Sequence, residues 1–373
     1  MSTIRLPGIG DYECVGARPL PADSAPLRSR VAFAAAHVVA DPSADSTSAV
    51  DWTATLRFRH HLWSLGLGIA EAMDTAQRGL GLSWPNAREL IRRSGAEARA
   101  VGGRLACGAG TDQLTGPASV DEVTAAYEEQ VAIVEEAGAQ VILMASPALA
   151  AAAKGPEDYL AVYGKLLAQT REPVILHWLG PMFAPALAGY WGSADLDVAT
   201  GTLLELLRAN ASKVDGIKLS LLDADRERAL RAALPDGVRM YTGDDFNYPD
   251  LIGEGSDALL GIFDPIAPIA AAALRALDDG DTDRYETLLA PTVELSRSLF
   301  AEPTYHYKTG VVFLAWLTGH QDHFLMVGGQ QGARSVPHLA RVFTLADRAG
   351  LFTDPDLAVA RMKQLLSVAG MVQ

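Results

Sequence analysis

Lysine is scarce in this 373-residue chain, with six lysines against twenty-five arginines. Cysteine is scarcer still. Only Cys14 and Cys107 are present, which excludes a disulfide framework and fits a reducing compartment. The first residues lack the apolar stretch of a signal peptide, and no apolar run reaches the about eighteen residues that a membrane span requires. The expectation is a cytoplasmic protein with no membrane partner. Positive charge is short as well. A formal net charge of −14 argues against nucleic acid or an anionic membrane surface as partner. What the chain has in quantity is apolar residues, 49% against 20% charged, enough to bury a large core.

Eight short apolar runs punctuate the sequence, at 30–39, 66–73, 103–109, 140–145, 173–177, 214–220, 238–242 and 258–263. Most do not alternate apolar with polar residues, which marks strands buried on both faces, as in a parallel sheet. Segments with helical spacing lie between them, at 51–65, 83–99, 119–137, 155–170, 202–210 and 225–234. Ser83 and the acidic start after Ser119 suit helix N-termini. Eight strand–helix units in order predict a (β/α)8 TIM barrel. No Gly-x-Gly-x-x-Gly turn follows the first strand, which counts against a dinucleotide-binding open sheet. The expected division is an irregular N-terminal arm over 1–28, a barrel over 29–290 and a helical C-terminal extension over 291–373.

Barrel active sites form at the C-terminal ends of the strands. Those ends nominate His37, Glu71, Asp74, Thr75, Gln77, Cys107, Thr111, Ser146, His177, Lys218, Asp244, Asp245 and Asp264. Lys218 closes the apolar run 214–220 and is the one lysine that looks buried. Desolvation lowers a lysine's pKa, and the neutral amine attacks carbonyl groups to form Schiff bases. The plainer account is a lysine whose ammonium reaches out to a carboxylate. Asp and Ser at strand ends are also ordinary turn and cap residues. His37, Glu71, Asp74, His177, Asp244 and Asp264 could assemble a divalent-cation site from different strands, although no His-x-His spacing supports one. Neither metal nor cofactor is expected. His60 and His61 suit a helix surface. His320 and His323 resemble half a metal site, and the Gly-rich 328–335 loop with Arg334 suits either an anion or a helix connection.

Gly216-Ile217-Lys218 followed by Thr242-Gly243-Asp244-Asp245 resembles the dihydrodipicolinate synthase/N-acetylneuraminate lyase family. Pro173-Val174-Ile175-Leu176 is similar to that family's fifth strand. Phe300-Ala301-Glu302-Pro303-Thr304 with Lys308 is similar to its Phe-x-Glu-Pro-Asn-Pro-x-x-x-Lys segment. The resemblance spans about residues 30 to 320 and implies a sixth-strand Schiff-base lysine at Lys218. It also implies a homodimer or homotetramer and a small-molecule carbonyl substrate. His177 stands where the family places a tyrosine as proton relay, and imidazole can serve that role. The paired tyrosine turn after strand four, the Gly-Thr-Thr-Gly-Glu loop and the carboxylate-holding arginine are absent; of the loop, only Thr75 matches in type. The expectation is therefore a divergent class I lyase or aldolase acting on a keto acid or oxidised-sugar derivative. Thr75, Asp74, Gln77, His37, Asp244, Asp245 and Asp264 would hold the substrate, a polyhydroxy compound suiting them better than a dicarboxylate. The turn Tyr305-His306-Tyr307 could overhang the site. A metal-dependent barrel isomerase or hydrolase and a non-catalytic ligand-binding barrel are the alternatives.

Overall fold

A computed structural model describes residues 2–371. After an N-terminal hairpin, β1 (Ser2–Leu6) and β2 (Gly10–Cys14), come the eight strands of the barrel. They are β3 (Ala32–Ala35), β4 (Gly68–Glu71), β5 (Leu105–Ala109), β6 (Gln140–Leu143), β7 (Val174–Leu179), β8 (Val214–Ser220), β9 (Arg239–Thr242) and β10 (Asp257–Leu260). All neighbours pair in parallel and β10 closes on β3, giving the (β/α)8 barrel. Nearly every strand residue is buried. One set of side chains, including Phe33, Met73, Ile142, Ile175, Tyr241 and Leu259, fills the interior. The other set joins the larger layer between strands and helices.

The barrel helices are α1 (Trp52–Ser64), α2 (Trp84–Val101), α3 (Val120–Glu136), α4 (Pro147–Ala152), α5 (Pro156–Gln169), α6 (Leu196–Ala209), α7 (Ala224–Ala233), α8 (Tyr248–Gly253) and α9 (Ala267–Asp278). Side chains of Asp51, Ser119, Ser146, Asp195 and Asp223 cap their free N–H groups, the usual use of these residues. α6 starts six residues before the 202–210 expectation, behind its Asp195 cap.

Four further helices form the extension: α10 (Thr282–Leu299), α11 (Tyr307–Leu317), α12 (Val336–Arg348) and α13 (Pro355–Val368). α10 runs through residue 290, so no break in secondary structure falls there. Every residue of α11 is buried, as expected of a helix apolar all round. The N-terminal segment departs from the irregular arm expected. Residues 2–14 form a hairpin, with Ile4, Leu6 and Cys14 turned inward. Asp347 of α12 holds it, accepting from the Tyr12 hydroxyl at 2.8 Å and the Val15 and Gly16 N–H groups at 3.0 and 2.9 Å. Among the described residues no helix is long and apolar enough to cross a membrane.

Candidate functional site

Along β8 the alternate residues Gly216, Lys218 and Ser220 face the barrel axis. Gly216 has to be small, because a Cβ there would come within 2.7 Å of the Tyr241 ring. That ring forms part of the floor below Lys218. Lys218 lines a tight recess at the barrel mouth with Ser220, Asp245, Asp74, Thr75 and Tyr307. The lysine is 7% exposed, and no described residue forms a hydrogen bond or ion pair with its amine. Burial pushes its pKa below the ordinary lysine value, against the pull of Asp74 and Asp245. Burial acts on Asp245 too, raising its carboxyl to about 7 despite the Ile262 N–H it accepts at 2.9 Å and the nearby Lys218. For both groups desolvation outweighs mutual attraction, so the neutral forms gain.

His177 is the register neighbour of Lys218 across the β7–β8 ladder. It is fully buried, and its Nε2 lies 3.2 Å from Ser220 Oγ while Nδ1 has no partner. Burial, with Lys218 adding to it, drives its pKa well below 6.5. Burial therefore favours the neutral ring. His177 does not touch the recess directly; Ser220 stands between. The Gly-Asp-Asp turn has a packing reason here. A Cβ on Gly243 would run into Ser220 Oγ and approach Lys218 Cε to 2.9 Å.

A second hydroxyl pair closes the recess, with Thr75 Oγ1 2.8 Å from the Tyr307 hydroxyl. Tyr307 stacks on Phe300 at 4.3 Å between centroids. The following residue, Lys308, lines a larger cavity of about 510 Å³ that shares Asp74, Leu179 and Phe183 with the recess. The Tyr305 part of the 305–307 turn borders this cavity too.

Several nominated residues do other work. Asp264 Oδ2 accepts from the His37 N–H at 2.7 Å and lies 2.8 Å from its Nδ1. The two side chains pair with each other, and neither lines the recess or the cavity. Gln77, in a left-handed conformation, donates to the Val327 and Leu80 carbonyls and ties down its own loop. Asp244 accepts from the Phe246 and Asn247 N–H groups at 2.8 and 3.0 Å, a turn cap. The expectation that these four hold substrate is corrected on that geometry, leaving Asp74, Thr75 and Asp245 on the wall. Glu71 is locked to Arg59 by bonds of 2.8 and 2.9 Å. Arg334 donates to the Leu299 and Glu302 carbonyls and closes the end of α10; that loop is a connection. His320 packs against His61 and Phe58, and burial takes its pKa to about 3. Among the described residues no group of three or more His, Cys, Asp or Glu side chains is arranged to hold a metal ion.

Two polar wall residues, Ser220 and Lys308, were not nominated from sequence, whereas Tyr307 belongs to the turn expected to overhang the site. The signal for Lys308 was available, a lysine two residues ahead of the unbroken apolar run 310–317.

A family model described as "Protein of unknown function (DUF993)" matches residues 6–371. No curated protein matches the sequence. Among solved structures, the chloride-inhibited dihydrodipicolinate synthase from Acinetobacter baumannii, complexed with pyruvate, superposes with a TM-score of 0.65 at 16% identity, covering 87% of this chain and 100% of that one. The dihydrodipicolinate synthase from Thermotoga maritima gives 0.65 at 15% identity, with coverages of 87% and 100%. That from Aquifex aeolicus gives 0.62 at 14%, with 92% and 98%. At such identities the likeness is one of fold, and it is the fold that the sequence motifs imply.

Proposed function

We propose that this chain, which belongs to the DUF993 family, is a class I lyase or aldolase whose Schiff-base nucleophile is Lys218. The observation that carries this reading is the buried Lys218 amine, without a hydrogen bond or ion pair among the described residues, facing a recess ringed by two acids and three hydroxyls. A neutral amine lone pair attacks the substrate carbonyl carbon. The carbon–nitrogen bond forms as the carbonyl π pair moves to oxygen, which takes up a proton. Loss of water from this carbinolamine leaves an iminium, which accepts the electron pair of the breaking carbon–carbon bond and becomes an enamine. The substrate's β-hydroxyl meanwhile gives up its proton and becomes the carbonyl of the departing fragment. Protonation of the enamine and addition of water then free the lysine.

Each proton needs a carrier. Ser220 reaches the recess and His177 Nε2 backs it at 3.2 Å, so His177 relays protons through the serine hydroxyl. A neutral imidazole accepts a proton briefly and returns it, which suits a shuttle. Asp245, raised to about 7, can supply the proton for the departing water. A keto acid fits the apolar outer walls better than the polyhydroxy compound, whose expected readers Gln77 and His37 lie elsewhere. The homodimer or homotetramer implied by the resemblance belongs to the same proposal and is checked by sedimentation.

The test is to incubate the protein with pyruvate and longer keto acids, add borohydride and record the intact mass. A reduced adduct in the wild type that is missing from Lys218→Ala supports the reading. Normal turnover or trapping in Lys218→Ala sinks it.

A further inference from the structure

Resting on the Schiff-base reading, we propose that Lys308 is an anion anchor one chamber out from Lys218, and that the substrate carries an acidic group on an apolar arm, separate from the carbonyl that Lys218 attacks. Two chambers meet at Asp74, Leu179 and Phe183. The inner recess has little room beyond a reacting carbonyl. The outer cavity, of about 510 Å³, is walled mainly by apolar residues such as Leu80, Leu114, Met144 and Leu187.

Two cations border this outer cavity, and they differ. Arg78 is fully engaged: its N–H groups go to the Asp112 carboxylate, Gln130 Oε1 at 2.7 Å and the Ala72 and Gly108 carbonyls at 3.3 and 2.7 Å. It braces the loop after β4 and has no donor left for a ligand. Lys308 is only 5% exposed. Its ammonium has no hydrogen bond or ion pair among the described residues, and its one close partner is the face of Tyr307 at 5.3 Å. Asp74 is the only carboxylate that attracts it appreciably, and the same carboxylate also serves Lys218.

A buried ammonium without hydrogen-bond acceptors is costly, and such groups are found paired. Lys308 has Asp74 only in common with Lys218, which leaves the outer lysine short of an anion of its own. A carboxylate on the substrate completes the set, and the apolar walls take the carbon chain between it and the carbonyl. A 2-oxo acid as short as pyruvate has its carboxylate on the carbonyl carbon and cannot serve both chambers.

The probe pair is 5-oxohexanoate and its methyl ester, which share the ketone and differ in charge. The readout is the half-saturating concentration for borohydride trapping. A charge-assisted contact predicts that the wild type prefers the acid by about tenfold or more. In Lys308→Met, and in the equally neutral Lys308→Gln, the acid-to-ester ratio falls close to one. A wild type without preference, or a preference that survives in both variants, overturns the proposal. Calorimetry on Lys218→Met separates this from failure of the Schiff-base reading. Binding of 5-oxohexanoate there, lost in Lys218→Met/Lys308→Met, supports the anchor even if no imine is ever trapped. No binding to Lys218→Met overturns it.

Discussion

The two halves of the barrel mouth treat charge in opposite ways. Around β3, β4, β5 and β10 the ionic groups are matched. Arg59 and Glu71 are both fully buried and doubly bonded, with Ser94 Oγ giving Glu71 a further bond at 2.6 Å. His37 has Asp264, and Arg78 has Asp112. Around β7, β8 and α11 the cations have no hydrogen-bonded or ion-paired carboxylate among the described residues: Asp74 attracts both Lys218 and Lys308, Asp245 attracts Lys218 as well, and His177 faces only a serine. Burial costs the same solvation on both sides. The matched half recovers it within the protein and so holds the barrel shut. The unmatched half leaves it unrecovered, which lowers the Lys218 pKa and, on the proposed reading, leaves a place for an anion.

Four changes would break or sharpen this contrast. The largest effect is expected from Lys218→Ala, which should lower borohydride trapping of keto acids by more than about a thousandfold, the scale of losing a nucleophile. Its Tm should stay level or rise, since a poorly solvated cation is gone; a fall of many degrees would mean that the lysine belongs to the matched half. Glu71→Ala strands Arg59 in the core and should cost about 3–5 kcal/mol in urea unfolding. A loss below 1 kcal/mol would deny the matched half its structural role. Ser220→Ala should slow imine formation in stopped flow by about a hundredfold, the scale of one proton-transfer group, with a smaller change in half-saturation. An unchanged rate would take Ser220 and His177 out of the relay.

The smallest effect concerns Asp245. Its carboxyl rises from an ordinary 3.8 to about 7 in the folded state, so folding favours its protonated form. That stabilisation is complete below about pH 4 and is lost as pH rises to 7. Asp245→Asn does not titrate, and its stability relative to wild type should improve steadily between pH 4 and pH 8. A difference that stays constant with pH would place Asp245 in water.

The barrel was legible because its strands are buried on both faces and so read as apolar runs; β8 has the bounds its run suggests, Val214–Ser220. Lys218 was legible for the same reason, as a charge at the end of such a run. The matching of charges was not. Nothing local in sequence says that Asp264 turns to His37, 227 residues away, or that Glu71 meets Arg59 across the α1–β4 layer. Gln77 and Asp244 looked like ligands because loop residues that bind backbone and loop residues that bind substrate share a composition. Tyr307 and Lys308 reach the mouth only because α11 docks over the barrel. The hairpin at 2–14 was hidden by its mixed polar residues, whose inward face is set by α12 and α13 rather than by its own pattern.

On the proposed reading, the amine that attacks the carbonyl is that of Lys218. Peptide mapping after borohydride reduction of a keto-acid complex tests it most directly, because two buried lysines border adjoining chambers. The account predicts the mass increment on the peptide containing Lys218, with Lys308 unmodified. An increment on Lys308 instead, or none on either, would contradict it.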